Sequence, residues 1–73
     1  MLTKLQFDGL HYMAVHQNAS KALSQREIAQ GIGRSLGSVN GLVKQLLSMG
    51  LIDAGGRVTE AGFAALEPYK VDN

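Results

Sequence analysis

The segment LSQREIAQGIGRSLGSVNGLVKQLLSMGLI, residues 23–52, decides the fold of this chain. Ser24 and Glu27 have the S-x-x-E spacing of a capping box, which predicts a helix that begins just after Ser24. Gly31 and Gly33 predict the end of this helix, because glycine adopts left-handed backbone conformations without a Cβ clash. The segment therefore starts with one short helix that has a sharp stop.

A second helix is predicted to begin after Ser35 and to end at Gly50. Its apolar residues recur at the i, i+3, i+4, i+7 and i+8 spacing of a face turned toward a core. They are Val39, Leu42, Val43, Leu46 and Leu47. We expect this row to be buried, with Ser38 and Asn40 pointing outward. Leu51 is expected to pack back against the core after the glycine. Two helices joined by so short a turn predict a helix-turn-helix.

The residues before this segment predict one further helix and a short strand. Thr3 and Gln6 repeat the capping-box spacing, so we expect a helix from about residue 4 to residue 17. Its expected core-facing residues are Phe7, Leu10, Met13 and Ala14. Gly9 costs this helix about 1 kcal/mol relative to alanine, and a close approach to another helix is one possible reason for it. Residues 21–23 could form a very short strand.

The residues after this segment predict a β-hairpin and a last helix. Residues 51–53 and 57–59 favour short strands, and the glycines between them are typical of a hairpin turn. Thr59 then caps a helix that Pro68 ends, because proline cannot donate the next helical hydrogen bond. The expected core contacts of this helix are Phe63 and Leu66.

Length and composition predict one small domain. The chain has 73 residues, of which 45% are apolar, and we expect a domain over residues 1–68 and a flexible tail or the start of a linker over 69–73. It contains no cysteine, which excludes disulfides and thiolate metal ligands. No apolar run approaches the roughly 20 residues that span a bilayer, and no signal-peptide pattern is present. We therefore expect a cytoplasmic protein without a membrane partner.

The charge distribution modestly favours nucleic acid as a partner. The formal net charge of +1 is too small to predict a polyanion on its own. Residues 21–57, however, carry five basic residues against the two acids Glu27 and Asp53. A dispersed set of five cations also occurs on ordinary solvated surfaces, so both interpretations remain open.

The order of these elements resembles the winged-helix fold, and the residues are most similar to the multiple-antibiotic-resistance-regulator (MarR) family of bacterial transcription regulators. LTKLQFDGL resembles the opening helix of that family, residues 23–52 its helix-turn-helix, and RVTEAGFAAL the strand and helix after its wing. The resemblance implies a mainly α fold with a small β-hairpin, built as a three-helix core, a short wing and a C-terminal helix.

By this resemblance, a recognition helix at about residues 35–49 enters the major groove of double-stranded DNA and reads bases with its N-terminal part. The start of the preceding helix would lie near a phosphate strand, where exposed amides and the helix dipole favour anions. Carried over by position, the DNA-binding residues are Ser24, Gln25, Arg26, Arg34, Ser35, Ser38, Asn40, Lys44 and Arg57.

The chain departs from this pattern where bases are read. Leu36, Gly37 and Gly41 stand where arginine, lysine, glutamine or asparagine usually match base edges. The alternative is a protein-interaction or regulatory winged helix ahead of a catalytic domain. Residues 67–73 are similar to the join before a nucleotidyltransferase domain of the choline-phosphate cytidylyltransferase type. A protein partner or a homodimer is therefore also possible.

No residue pattern predicts catalysis or a cofactor. His11 and His16 are five positions apart, which is not a spacing that places two ligands on one helical face. Ser24 and Ser35 are better explained as helix caps than as nucleophiles, since no base and orienting acid lie in register with them. We expect neither an enzyme nor a bound metal in these residues.

Overall fold

The computed structural model describes residues 1–17 and 21–69, and its order of elements is mainly helical. In that part of the chain lie the helices α1 (Lys4–His16), α2 (Gln25–Ile32), α3 (Leu36–Ser48) and α4 (Glu60–Leu66), followed by a 3₁₀ turn (Glu67–Tyr69). Helix α1 packs against the other three helices, and α2 packs against α3. No helix within the described ranges has the length and apolar character that crossing a membrane requires.

The predicted helix boundaries are confirmed by their caps. Thr3 and Ser24 each form a capping box with the residue three positions on. Helix α2 stops at Gly33, whose φ of 70° is left-handed. Helix α3 ends in a Schellman motif, in which the amide of Gly50 donates to the Leu47 carbonyl at 3.0 Å and the amide of Leu51 donates to the Leu46 carbonyl at 3.0 Å.

The capping box of α2 also perturbs an acid. The Ser24 amide donates to Glu27 Oε1 at 2.9 Å, and the Glu27 amide donates to Ser24 Oγ at 3.1 Å. The bond from the Ser24 backbone, a further bond with its side chain and the positive charge of Lys21 together lower the pKa of Glu27. The ionised carboxylate is therefore part of the start of α2.

The core consists of the apolar faces of all four helices and of Leu51, Ile52 and Val58, which lie on either side of the wing (residues 53–57). Its fully buried side chains are Leu10, Met13, Ile28, Val39, Leu42 and Leu46. The predicted close approach at Gly9 is confirmed, because a Cβ at this position would overlap Leu42 Cδ2. Leu51 is buried after the α3 cap, as the sequence predicts.

The prediction that Leu47 and Phe63 are buried in the core is wrong. Leu47 is 45% exposed, because at about 100° per residue it lies to one side of the row formed by Val39, Leu42 and Leu46, and no element covers that flank in the described residues. Phe63 is 47% exposed. Gly62 faces the domain in its place, so close to the Leu51 carbonyl and to Val58 Cγ1 that a Cβ would clash.

The predicted β-hairpin is also wrong, since the described residues contain no strand there. Ile52 and Val58 form an isolated antiparallel bridge, flanked by bonds from the Asp53 amide to the Arg57 carbonyl at 2.9 Å and from the Thr59 amide to the Leu51 carbonyl at 3.0 Å. The pairing cannot extend in either direction. On one side, the Asp53 carboxylate accepts the Arg57 amide at 3.0 Å; on the other, Thr59 already caps α4.

The short strand predicted at residues 21–23 is likewise absent from the described structure. Such a strand would have to pair with the free side of Val58. The Val58 amide instead donates to the side-chain oxygen Oε1 of Gln17 at 3.1 Å. A glutamine side chain therefore takes the place of a third strand.

The structure describes only Tyr69 of the predicted tail. Its ring lies 4.9 Å from that of Phe7, between centroids, and its hydroxyl accepts the Leu2 amide at 3.0 Å. The remaining residues of the predicted tail, 70–73, lie outside the described residues, and the domain boundary at residue 68 stays a prediction.

Replacing Leu46 by alanine should cost about 2–5 kcal/mol of unfolding free energy, because this fully buried side chain would leave a cavity between the helices. The neighbouring Leu47→Ala is the matched control and should cost less than about 1 kcal/mol, because Leu47 is half exposed. Urea unfolding followed by circular dichroism measures both. Equal costs for the two leucines would contradict the described packing of α3.

Acid should weaken the start of α2. Because folding lowers the pKa of Glu27, its stabilising contribution is fully present well above pH 4.5, the ordinary pKa of this group, and is lost as the pH falls through that value and then the folded value. Glu27→Gln retains a capping-box residue but does not titrate. The stability difference between wild type and this variant should therefore shrink between about pH 6 and pH 3 in urea unfolding. A difference that does not change with pH would refute this role of the carboxylate.

Candidate nucleic-acid interface

The face of α3 opposite its buried row is exposed, as the sequence predicts. It presents Leu36, Gly37, Asn40, Gly41 and Lys44. Leu36 is 48% exposed, and no atom within 4 Å would obstruct a Cβ at either glycine. This side of the helix is therefore open to a large ligand, and its position is fixed by the buried side chains behind it.

The two serines predicted as DNA contacts at the start of α3 serve its cap. The Ser35 hydroxyl oxygen accepts the Ser38 amide at 3.1 Å, and the same hydroxyl donates to Ser38 Oγ at 3.0 Å. Both side chains remain exposed, but Ser35 Oγ already has two partners. Ser38 keeps its own hydroxyl hydrogen for a further acceptor.

A side-chain hydrogen bond joins the exposed face of α3 to the first residue of α2. Asn40 Nδ2 donates to Gln25 Oε1 at 3.3 Å. The two residues are 15 positions apart in the sequence, and both were predicted DNA contacts. The contact itself could not be read from the sequence, because it depends on how α2 and α3 cross.

The start of α2 offers less to an anion than the sequence suggests. The Ser24 amide donates to the Glu27 carboxylate, so this donor is already used. The same carboxylate places a negative charge beside the predicted phosphate site. The amides of Gln25 and Arg26 have no partner in the described part of the chain and remain available there. The sequence predicted Glu27 as a capping-box residue, but its effect on this anion site was missed. The capping-box spacing was the signal that could have revealed it.

Four of the predicted contact residues are cations. The side chains of Arg26, Arg34 and Lys44 are exposed, and that of Arg57 is half-buried. None of the four forms an ion pair within residues 1–17 and 21–69. Arg34 is held in the turn between α2 and α3, where its amide donates to the Ala29 carbonyl at 3.0 Å.

Arg57 lies on the wing, outside the helix-turn-helix that carries the other predicted contacts. No hydrogen bond or ion pair links it to them in the described residues. Its neighbour Asp53 does not neutralise its guanidinium. The Asp53 carboxylate instead accepts the amides of Gly55 at 2.9 Å and Arg57 at 3.0 Å, and so shapes the tip of the wing.

The histidines take part in ring contacts. His11 stacks on Phe7 with centroids 5.2 Å apart, and His16 lies 4.2 Å from the Tyr12 ring. Among the described residues, no group of three histidine, cysteine, aspartate or glutamate side chains could hold a metal ion.

An open groove of about 810 Å³ between α1 and α4 is lined mainly by apolar and aromatic side chains, including Phe7, Val15 and Phe63.

Comparison with known protein families agrees with this geometry. The family model described as winged helix-turn-helix DNA-binding matches residues 17–53, which is 37 of the 73 residues. The matched segment contains α2, the turn and α3, and all the predicted contact residues except Arg57. No curated protein and no solved structure matches the chain. The chain belongs to the winged helix-turn-helix DNA-binding family.

Proposed function

We propose that the chain is the DNA-binding module of a bacterial transcription regulator of the MarR type, with α3 in the major groove of duplex DNA. The observation that carries this proposal is the open face of α3 inside the segment that matches a DNA-binding family. B-DNA admits an α-helix in its major groove, where base edges are read. The proposal gives these residues a binding role without catalysis, in the cytoplasm.

The glycines of α3 support a close approach to a partner. Gly37 and Gly41 each cost a helix about 1 kcal/mol relative to alanine. Packing within the domain does not explain them, since a Cβ at either position would meet no atom within 4 Å. Because glycine has no side chain, the helix backbone can come nearer to the base edges or the sugar-phosphate backbone of a DNA groove at these positions.

Phosphate contacts would supply most of the affinity. Arg26, Arg34 and Lys44 have exposed side chains that are not held in ion pairs in the described residues, so they are able to neutralise phosphates. Arg57 on the wing adds a fourth. The amides of Gln25 and Arg26 at the start of α2 fit a phosphate oxygen, with Glu27 limiting the charge of that site.

A protein-contact role is the second candidate, and the exposed Leu36 favours it. This side chain is 48% exposed at the start of the helix that would read DNA. In that case, the domain would be an interaction or regulatory winged helix ahead of a catalytic domain. The two functions differ in their dependence on salt, because apolar contacts do not release counterions.

Removing single cations should weaken binding to DNA evenly across sequences. We expect Arg34→Ala, Lys44→Ala and Arg57→Ala each to lower the affinity for a mixed-sequence duplex, and to reduce the slope of log K against log salt by about 0.9 per lost phosphate contact. Fluorescence anisotropy over a salt series measures both quantities.

Lys4→Ala is the control for these variants. It removes the same charge from α1, where Lys4 lies 3.3 Å from the Asp8 carboxylate, outside the proposed surface. The slope should not change in this variant. Absence of any binding by the wild type at low salt would refute the DNA proposal and favour the protein-contact role. A slope lowered as much by Lys4→Ala as by Lys44→Ala would place the contacts on another face.

A further inference from the structure

The hydrogen bond between Asn40 and Gln25 constrains the exposed amide of Asn40. An asparagine amide offers two N–H donors and one carbonyl acceptor. One donor is used by Gln25 Oε1 at 3.3 Å. No other protein partner of this amide lies in the part of the chain that the structure describes, so one N–H and the carbonyl oxygen of this exposed side chain remain available to a ligand.

An adjacent donor and acceptor match one base in the major groove. Adenine presents its N7 acceptor beside its N6 amino donor, so an asparagine amide pairs with both. Guanine presents the two acceptors N7 and O6, which would leave the asparagine carbonyl against an acceptor. Cytosine presents its N4 donor, and would leave the asparagine N–H unpaired.

The other residues on this face are poorer candidates for reading a base. Leu36, Gly37 and Gly41 have no polar side-chain atom. The Ser38 hydroxyl lies within the cap of α3 and can serve as either donor or acceptor, so it discriminates weakly. Lys44 lies one turn further along the helix, where phosphate is its expected partner.

We infer that Asn40 determines specificity by reading adenine in an A·T pair, and that Gln25 is the positioning residue that orients its amide. This inference rests on the proposed function, because it requires α3 to lie in the major groove. It makes base choice depend on the junction of α2 and α3, and not on the recognition helix alone.

The test begins with selection of duplexes from a random library by the wild-type chain. A set of duplexes is then made in which each position of the selected site carries each base pair in turn. These duplexes are titrated with Asn40→Ala and with Asn40→Asp. The aspartate keeps the size of the side chain but loses the N–H donor. At one position, we expect the preference for A·T over G·C to fall by about 5- to 140-fold in both, the loss of one bidentate contact. Circular dichroism checks that these exposed substitutions leave the fold intact.

Two substitutions of Gln25 separate orientation from simple contact. Gln25→Glu keeps an acceptor for Asn40 Nδ2, so it should weaken binding to all sequences by charge but preserve the base preference. Gln25→Met removes the acceptor and should reduce the preference at the same position as Asn40→Ala. Lys44→Ala should weaken all sequences by a similar factor and leave the preference unchanged.

The possible failures are distinguishable. If the wild type selects no duplex at low salt, both the proposed function and this inference are refuted. If a sequence is selected and Asn40→Ala leaves every base preference unchanged, or if the position lost is a G·C pair, the reading of adenine is refuted and DNA binding stands. Loss of the preference in Gln25→Glu as well as in Gln25→Met would overturn the positioning role of Gln25.

Discussion

The contact between Gly9 of α1 and Leu42 of α3 is the constraint on which the rest of the domain depends. A Cβ at Gly9 would overlap Leu42 Cδ2, so the Leu42 side chain packs directly against the backbone of α1 at this point. Leu42 is the middle residue of the buried row of α3, between Val39 and Leu46. Fixing its position therefore fixes which side of α3 is turned away from the core. The open face that we propose for DNA is a direct consequence of this packing.

A chain of 73 residues has little apolar surface to bury, and local hydrogen bonds supply part of its order. The side chains of Thr3, Ser24, Ser35 and Thr59 each cap a helix. Side-chain hydrogen bonds also order the wing, where the β structure is only one bridge. The Asp53 carboxylate holds the tip and the Gln17 side chain satisfies Val58, where longer strands would have used backbone groups. Side-chain caps thus compensate for a wing reduced to one bridge.

The helices and their boundaries could be predicted from the sequence, because capping boxes and glycine stops are local features. The exposed position of Asn40 followed from the helical period. The errors arose where the outcome depends on distant parts of the chain. Leu47 and Phe63 have suitable spacing but no element to cover them in the described residues. The strand predicted at residues 21–23 has no partner, because Gln17, 41 positions from Val58, takes the Val58 amide instead. The predicted hairpin is reduced to one bridge because Asp53 and Thr59 use their side chains in the turn and in the cap of α4.

The candidate site was predictable in its list of residues but not in its internal contacts. The sequence placed Gln25 and Asn40 on two neighbouring helices, and only the crossing of those helices brings their side chains together. It also identified Glu27 as a capping-box residue, but the effect of its carboxylate on an anion at the start of α2 was not recognised. These contacts decide which hydrogen-bond donors remain for a ligand. Specificity is therefore the part of the function that is hardest to predict from the sequence.

The most direct test of the account is a two-dimensional ¹H–¹⁵N NMR titration of the chain with a short duplex. We predict that the largest amide shifts fall on the start of α2, the turn at Arg34 and the first half of α3, with smaller shifts at the wing. Largest shifts along the groove between α1 and α4, with α3 unaffected, would contradict the claim that its buried row turns a DNA-binding face outward.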